Sequence, residues 1–343
     1  MRFKLFGKSG LRVSELCLGT MTFGLEWGTG ADKTESKQIF DAFAQAGGNF
    51  IDTANRYTEG SSERFLADFL ATQRDYFVLA TKYTLYDRPE DPNASGNHRK
   101  NLMRSVEGSL RRLNTDYIDL LWVHAWDFTT SPEEVMRGLD DLVRAGKVHY
   151  IGVSDTPAWI VAQANTLAEL RGWAAFVGLQ IEYSLIQRTP ERDLLPMARH
   201  FGLSITPWSP LGAGILTGKY NEGMIAGGRL SEKSVKFNER NLQIAREVSA
   251  VAQEIGASPA QVALQWLRQQ GPDIIPIIGA RNLNQLEDAL GCLSVSLPEA
   301  QRQSLDAVSQ IELGFPHDFL RSEGVRRVSF GNFYETIDHR FKN

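Results

Sequence analysis

Only two cysteines, Cys17 and Cys292, occur in 343 residues, far apart and in or beside apolar runs. They supply neither a disulfide framework nor a Cys-x-x-Cys metal pair. No apolar run approaches the roughly 20 residues of a membrane span. The N-terminal MRFKLFGKSGL is broken by Lys4, Gly7 and Lys8 and lacks the continuous apolar stretch of a secretion signal. A cytoplasmic location, away from membranes, is therefore expected. Runs of lysine or arginine are missing as well. With 37 Lys and Arg against 41 Asp and Glu the formal net charge is −4, which gives no electrostatic footprint for nucleic acid. The six histidines, His98, His124, His149, His200, His317 and His339, show no ligand-like spacing, so no protein-bound metal is expected.

Several familiar motifs also fail. Gly28-Thr29-Gly30 is followed by Lys33 and Gly212-Ala213-Gly214 by Thr217 where a dinucleotide fingerprint requires a third glycine, so a Rossmann domain is not supported. Gly7-Lys8-Ser9 ends like a P-loop, but Arg2 holds its first glycine position. Gly152-Val153-Ser154 starts like a nucleophile elbow and then places Thr156 at the second glycine. Neither an NTPase nor an α/β-hydrolase fits.

What is present is a 42% hydrophobic, 23% charged composition, that of a globular chain with a large core. Eight short apolar runs begin at Glu15, Asn49, Tyr76, Tyr117, Val148, Phe176, Leu203 and Ile274. Helical patterns separate them: Asp32 to Ala46, Ser61 to Ala71, Arg99 to Leu113, Pro132 to Ala145, Pro157 to Leu170, Glu191 to Phe201, and a pair between Asn238 and Arg268. Strand-helix alternation with near-continuous apolar strands indicates a parallel sheet covered on both faces. Eight units favour one closed (β/α)8 TIM barrel over residues 1–343. FKLFGKSGLRV reads as an N-terminal hairpin covering the barrel bottom, the Gly-rich stretch from Trp208 to Phe237 as a long loop after the seventh strand, and the segment after Leu313 as a tail without clear helical period.

Aligned by their C-terminal ends, the runs stop on Thr20, Asp52, Lys82, His124, Ser154, Gln180, Trp208 and Arg281. In a (β/α)8 barrel these ends converge on the face that carries the active site. Asp52, Tyr57, Lys82 and His124 make chemical sense as one group. A lysine ammonium beside a tyrosine stabilises the phenolate and is expected to lower its pKa. Asp52 would hold the lysine, and His124 would orient a carbonyl oxygen.

The ordered segments LCLGTMTFG, FIDTANRY, SSERFL, VLATK, DYIDLLWVH, GKVHYIGVSD, LQIEYSL, PWSPLGAGILTGKY and IIGARNLNQLEDAL, spread over nearly the whole chain, resemble the aldo-keto reductase superfamily. The resemblance implies an NAD(P)H-dependent reductase of aldehydes and ketones, working reversibly, with Tyr57 as general acid and Asp52, Lys82 and His124 completing the tetrad. It implies that Trp208 stacks on the nicotinamide, that Ser154, Asp155 and Gln180 surround its carboxamide, and that Gly19, Thr20, Met21 and Asp52 lie beside it. Ser209, Pro210, Leu211, Gly214, Lys219 and Arg229 would follow the phosphates, and Gly279, Arg281, Gln285 and Asp288 the adenosine half. Arg281 suits a 2′-phosphate because its planar fork binds phosphate oxygens bidentately, which favours NADP(H) over NAD(H).

The chain departs from the family pattern in three places. Asp155 replaces the usual asparagine, Asp288-Ala289 the usual Glu-Asn pair, and Thr58 the glycine after the catalytic tyrosine. Phe23, Trp27, Tyr83 and Trp126 follow strand ends closely and are expected to line a pocket for a bulky or aromatic carbonyl substrate. The TrpSerProLeu and GlyLysTyr stretch also resembles the potassium-channel β-subunit branch, so the alternative is an NADPH-binding regulatory subunit with slow turnover. A homo-oligomer is compatible with this reading.

Overall fold

The computed structural model describes residues 1–225, 230, 231 and 233–337. Each apolar run contains a strand. After a hairpin of β1 (Phe3–Leu5) and β2 (Arg12–Ser14) come β3 (Cys17–Gly19), β4 (Phe50–Asp52), β5 (Val78–Tyr83), β6 (Ile118–Val123), β7 (Val148–Ser154), β8 (Phe176–Glu182), β9 (Ser204–Trp208) and β10 (Ile277–Gly279). The last eight pair in parallel in the order β10-β3-β4-β5-β6-β7-β8-β9. A parallel bridge between Ile205 and Ile274 joins the two ends, with Ile275 N–H donating to Ile205 O at 2.8 Å. The sheet is a (β/α)8 barrel.

The helices outside it are α1 (Lys33–Gln45), α2 (Ser61–Leu70), α3 (Arg99–Leu113), α4 (Pro132–Arg144), α5 (Ala158–Arg171), α6 (Leu194–Phe201), α7 (Glu239–Ile255), α8 (Pro259–Arg268), α9 (Leu283–Gly291) and α10 (Glu299–Val308). Their limits follow local chemistry. Ser131 caps α4 by accepting from Glu134 N–H, Pro132 supplies a preset φ at the first turn, and Glu133 and Glu134 face the positive helix end. Ser258 and Gln261 form a reciprocal capping box on α8. None of the helices among the described residues is long and apolar enough to cross a membrane.

The hairpin closes the barrel bottom. Phe6 is fully buried inside the barrel, with its ring edge-on to Phe50 at 5.4 Å and to Trp122 at 6.2 Å. Burying such a ring stabilises the fold by about 1.5–3 kcal/mol. Room for these rings comes from two strand glycines. A Cβ on Gly178 would stand 2.6 Å from the Phe6 ring, and one on Gly152 would stand 2.4 Å from that of Trp122. Lys4 Nζ donates to Ile274 O at 2.7 Å, which ties the hairpin to the seam of the sheet. The tail after Leu313 is partly helical, contrary to its weak sequence period: α11 (His317–Arg321) and α12 (Glu323–Phe330) are short and bury no side chain, so no apolar stripe marks them.

Candidate active site

Pairing register sets the site. Asp52 lies opposite Ala80, Lys82 opposite Trp122 and Ser154 opposite Gln180, so the side chains at these strand ends share one rim. Lys82 is completely buried. Its Nζ donates to Asp52 Oδ2 at 2.5 Å, to Thr53 O at 2.8 Å and to the Tyr57 hydroxyl oxygen at 3.0 Å. Asp52 accepts a further bond from Gln180 Nε2 at 3.0 Å. An ammonium buried this deeply is tolerable only with acceptors around it, and here three are present.

Tyr57 opens a short 3-10 turn, Tyr57–Gly60, ahead of α2. Thr58 and Glu59 both have left-handed backbones, at φ 46° and 54°. At Thr58 a glycine would carry no strain, whereas a β-branched residue carries about 1–2 kcal/mol. Two hydrogen bonds hold it: its Oγ1 donates to Phe23 O at 2.6 Å and accepts from Ser62 N–H at 3.2 Å. The turn is thereby locked between the loop after β3 and the start of α2, which fixes the tyrosine.

Burial pushes Tyr57 above the usual phenol pKa, while Lys82 pulls the other way. The expectation of a lowered value is thus corrected. Enclosure outweighs the ammonium, and Lys82 limits the rise. For Lys82, burial pulls down, but Asp52 and Tyr57 together outweigh it and raise the value, so the ammonium stays charged. His124 follows β6 and meets Tyr57 edge-on at 5.9 Å. Burial, aided by the Lys82 charge, brings its pKa down to about 3. The imidazole is neutral in the physiological range, and its Nδ1 is enclosed without a partner.

The residues expected around a dinucleotide divide into several groups. Ser154 is buried with its hydroxyl unpartnered. Asp155 Oδ1 accepts the Trp208 indole N–H at 3.0 Å. Gln180 turns its amide nitrogen to Asp52. Thr20 is fully buried, donating to Asp52 O at 3.0 Å and bonded to Ser62 Oγ, so it braces the rim. Gly19 is buried beside Ile277, whereas Met21 is exposed. After Trp208 the chain coils through left-handed residues at Ser209, Gly212, Ala213, Gly214 and Gly218, past buried Pro210 and half-buried Leu211. A Cβ at Gly214 would stand 2.9 Å from Lys219 Nζ, so glycine lets this ammonium lie over the coil. Arg229 lies outside the described residues.

Beyond β10, Gly279 is exposed. Gln285 Oε1 accepts the Arg281 backbone N–H at 2.9 Å, leaving the half-exposed guanidinium without an ion-pair partner among the described residues. Asp288 is already engaged, accepting from Ser258 Oγ at 2.6 Å and Gln261 Nε2 at 3.0 Å, and so belongs to the α8 cap.

The four expected substrate aromatics separate. Phe23 and Tyr83 are fully buried, Phe23 against Phe69 and Tyr83 in the core between β5 and the helices. They expose nothing to the mouth, which corrects that expectation. Trp27 is exposed and edge-on to Tyr57 at 6.3 Å, with its indole N–H on Glu59. Trp126 is half-buried, with its backbone N–H donating to Asp155 O at 3.4 Å.

Sequence reading missed the brace beneath the tyrosine. Glu63, wholly buried on α2, accepts from Thr81 Oγ1 at 2.6 Å and from Arg112 Nε at 2.6 Å. Its position in the first turn of α2 resembles ordinary dipole pairing; nothing local reveals that Thr81, next to Lys82, is its partner.

The unpartnered Ser154 hydroxyl, the glycine-rich coil after β9, and the Lys219 and Arg281 cations, neither of which forms an ion pair among the described residues, fit a phosphate-bearing ligand. Residues 15–310 match the aldo/keto reductase family. The chain belongs to that family. Its relatives include norsolorinic acid reductase of Aspergillus flavus, 40% identical over 92% of this chain and 83% of that protein. Aryl-alcohol dehydrogenase [NADP(+)] of Phanerodontia chrysosporium is 41% identical over 90% and 86%. A putative aryl-alcohol dehydrogenase of Saccharomyces cerevisiae is 36% identical over 93% and 89%. As an aldo-keto reductase the chain is an oxidoreductase.

Proposed function

We propose that this aldo-keto reductase interconverts aromatic aldehydes or ketones and their alcohols with NADP(H), Tyr57 being the proton donor. The observation that carries this reading is the buried Lys82 ammonium, held by Asp52 and donating to the Tyr57 hydroxyl oxygen at 3.0 Å. Lys82 occupies an acceptor side of that oxygen, so the phenolic O–H is free to point at a carbonyl oxygen in the mouth. The reduced nicotinamide, when bound, supplies hydride to the carbonyl carbon.

As negative charge gathers on the carbonyl oxygen, Tyr57 donates its proton and the neutral His124 imidazole orients the same oxygen. The phenolate left behind is stabilised by Lys82, whose own charge is balanced by Asp52. In the oxidative direction the Lys82-stabilised Tyr57 phenolate accepts the alcohol proton. Ser154, Asp155 and Trp208 would hold the nicotinamide, Lys219 and the coil after β9 the pyrophosphate, and Arg281 the 2′-phosphate. The aryl preference is supported by Trp27, which stands edge-on to Tyr57, and by the name of the aryl-alcohol dehydrogenase relative.

Arg281→Ala tests the cofactor choice. Hydrogen bonds to a charged group contribute about 1.5–3 kcal/mol, so NADPH affinity should fall about tenfold to a hundredfold, with NADH nearly unchanged. Fluorescence titration with both forms measures this. Equal weakening would remove Arg281 from the 2′-phosphate. Activity itself is tested by NADPH oxidation across aromatic and aliphatic aldehydes, ketones, sugars and quinones.

A further inference from the structure

Asp155 starts the loop after β7 with φ 39°, a left-handed conformation that Asp and Asn tolerate better than other side chains. It is fastened from three sides. Its N–H donates to Gln180 O at 3.3 Å, its carbonyl accepts from Trp126 N–H at 3.4 Å, and Oδ1 accepts the Trp208 indole N–H at 3.0 Å. No lysine or arginine among the described residues forms an ion pair with it, and Lys82 is committed to Asp52. Asp155 keeps part of its surface exposed, so its carboxylate is only partly desolvated.

A ligand seated between Tyr57 and Trp208 would desolvate the carboxylate further, and a carboxylate desolvated without a counter-charge is costly. The nicotinamide ring is cationic when oxidised and neutral when reduced. Only the oxidised form brings the missing charge. We propose that Asp155 tunes this site toward the oxidised dinucleotide, so that NADP+ is held more tightly relative to NADPH than a neutral side chain would allow. The inference rests on the dinucleotide reading above.

The carboxylate is close enough to the catalytic groups for its charge to matter there. Burial is the main cause of the raised Tyr57 pKa, and Asp155 adds to it. Burial likewise raises the Asp155 carboxyl, opposed by the Trp208 hydrogen bond and by Lys82. With an effective dielectric of about 20, the attraction between unit charges a few ångströms apart exceeds thermal energy several-fold, so a discrimination of about tenfold survives substantial screening.

Asp155→Asn isolates the charge, because asparagine keeps the backbone conformation and an oxygen for the indole. Kd values for NADP+ and NADPH are measured by tryptophan quenching and by calorimetry in both proteins. The ratio Kd(NADP+)/Kd(NADPH) should rise about tenfold in the variant, mainly through weaker NADP+. A ratio unchanged within about twofold, with both forms bound, overturns this inference alone. Loss of both forms by Asp155→Asn makes the residue a structural clamp and also overturns it. Wild-type protein that binds neither form removes the dinucleotide reading, and this one with it.

Discussion

Tyr57→Phe is expected to lower kcat by about two to four orders of magnitude, the range that general acid catalysis contributes, while dinucleotide affinity stays within a factor of a few. The substitution removes one oxygen and keeps the ring. Trp27 and His124 meet that ring edge-on, and those contacts survive in phenylalanine. What disappears is the group on which Lys82 Nζ rests at 3.0 Å and the proton for the substrate oxygen. Because burial holds the phenol protonated before turnover, the wild-type acid is in the right state at neutral pH, and the variant has no replacement. Steady-state kinetics with cofactor titration measure both quantities. A variant within a few-fold of wild type in kcat would exclude Tyr57 as the proton donor.

Lys82→Met should both inactivate and destabilise. Methionine fills most of the space but leaves the Asp52 charge buried with, among the described residues, only Gln180 Nε2 donating to it. Removing one member of a buried ion pair costs about 3–5 kcal/mol, visible as a lower midpoint in urea unfolding. Adding Asp52→Asn should recover part of that stability without restoring activity, since the phenolate would still lack its cation. Full recovery of turnover in the double variant would contradict the role of Lys82. The sign with pH is also fixed. The folded Lys82 value is raised, so its contribution is complete below the ordinary lysine range and is lost only as pH rises through the higher folded value.

The barrel was legible because each strand is a bounded apolar run and each crossover carries its own caps. Arg99–Leu113 is helical over the residues its pattern indicated, and Gly47, Gly146 and Gly202 take the positive φ expected after helix ends. Aligning strand ends also brought Asp52, Lys82 and His124 together, since parallel register fixes which residues reach the rim. The direction taken by a side chain beyond the strand was not legible. Phe23 and Trp27 share one loop, yet one packs on Phe69 and the other stands at the mouth. Asp288 was drawn toward the ligand by its place in the family pattern, although its carboxylate is used by the α8 cap. The direction of the Tyr57 shift depends on how completely the phenol is enclosed, and residue spacing carries no measure of that.

The most direct test is isotopic. NADPH deuterated at the transferable position of the nicotinamide is mixed with an aromatic aldehyde, and the alcohol formed is analysed by mass spectrometry and NMR. Hydride transfer beside Tyr57 predicts one deuterium on the carbinol carbon, with deuterium from heavy water appearing only on the exchangeable oxygen. Cofactor oxidation that leaves the carbinol carbon unlabelled, or no turnover of any aldehyde or ketone by protein that binds NADPH, would contradict it.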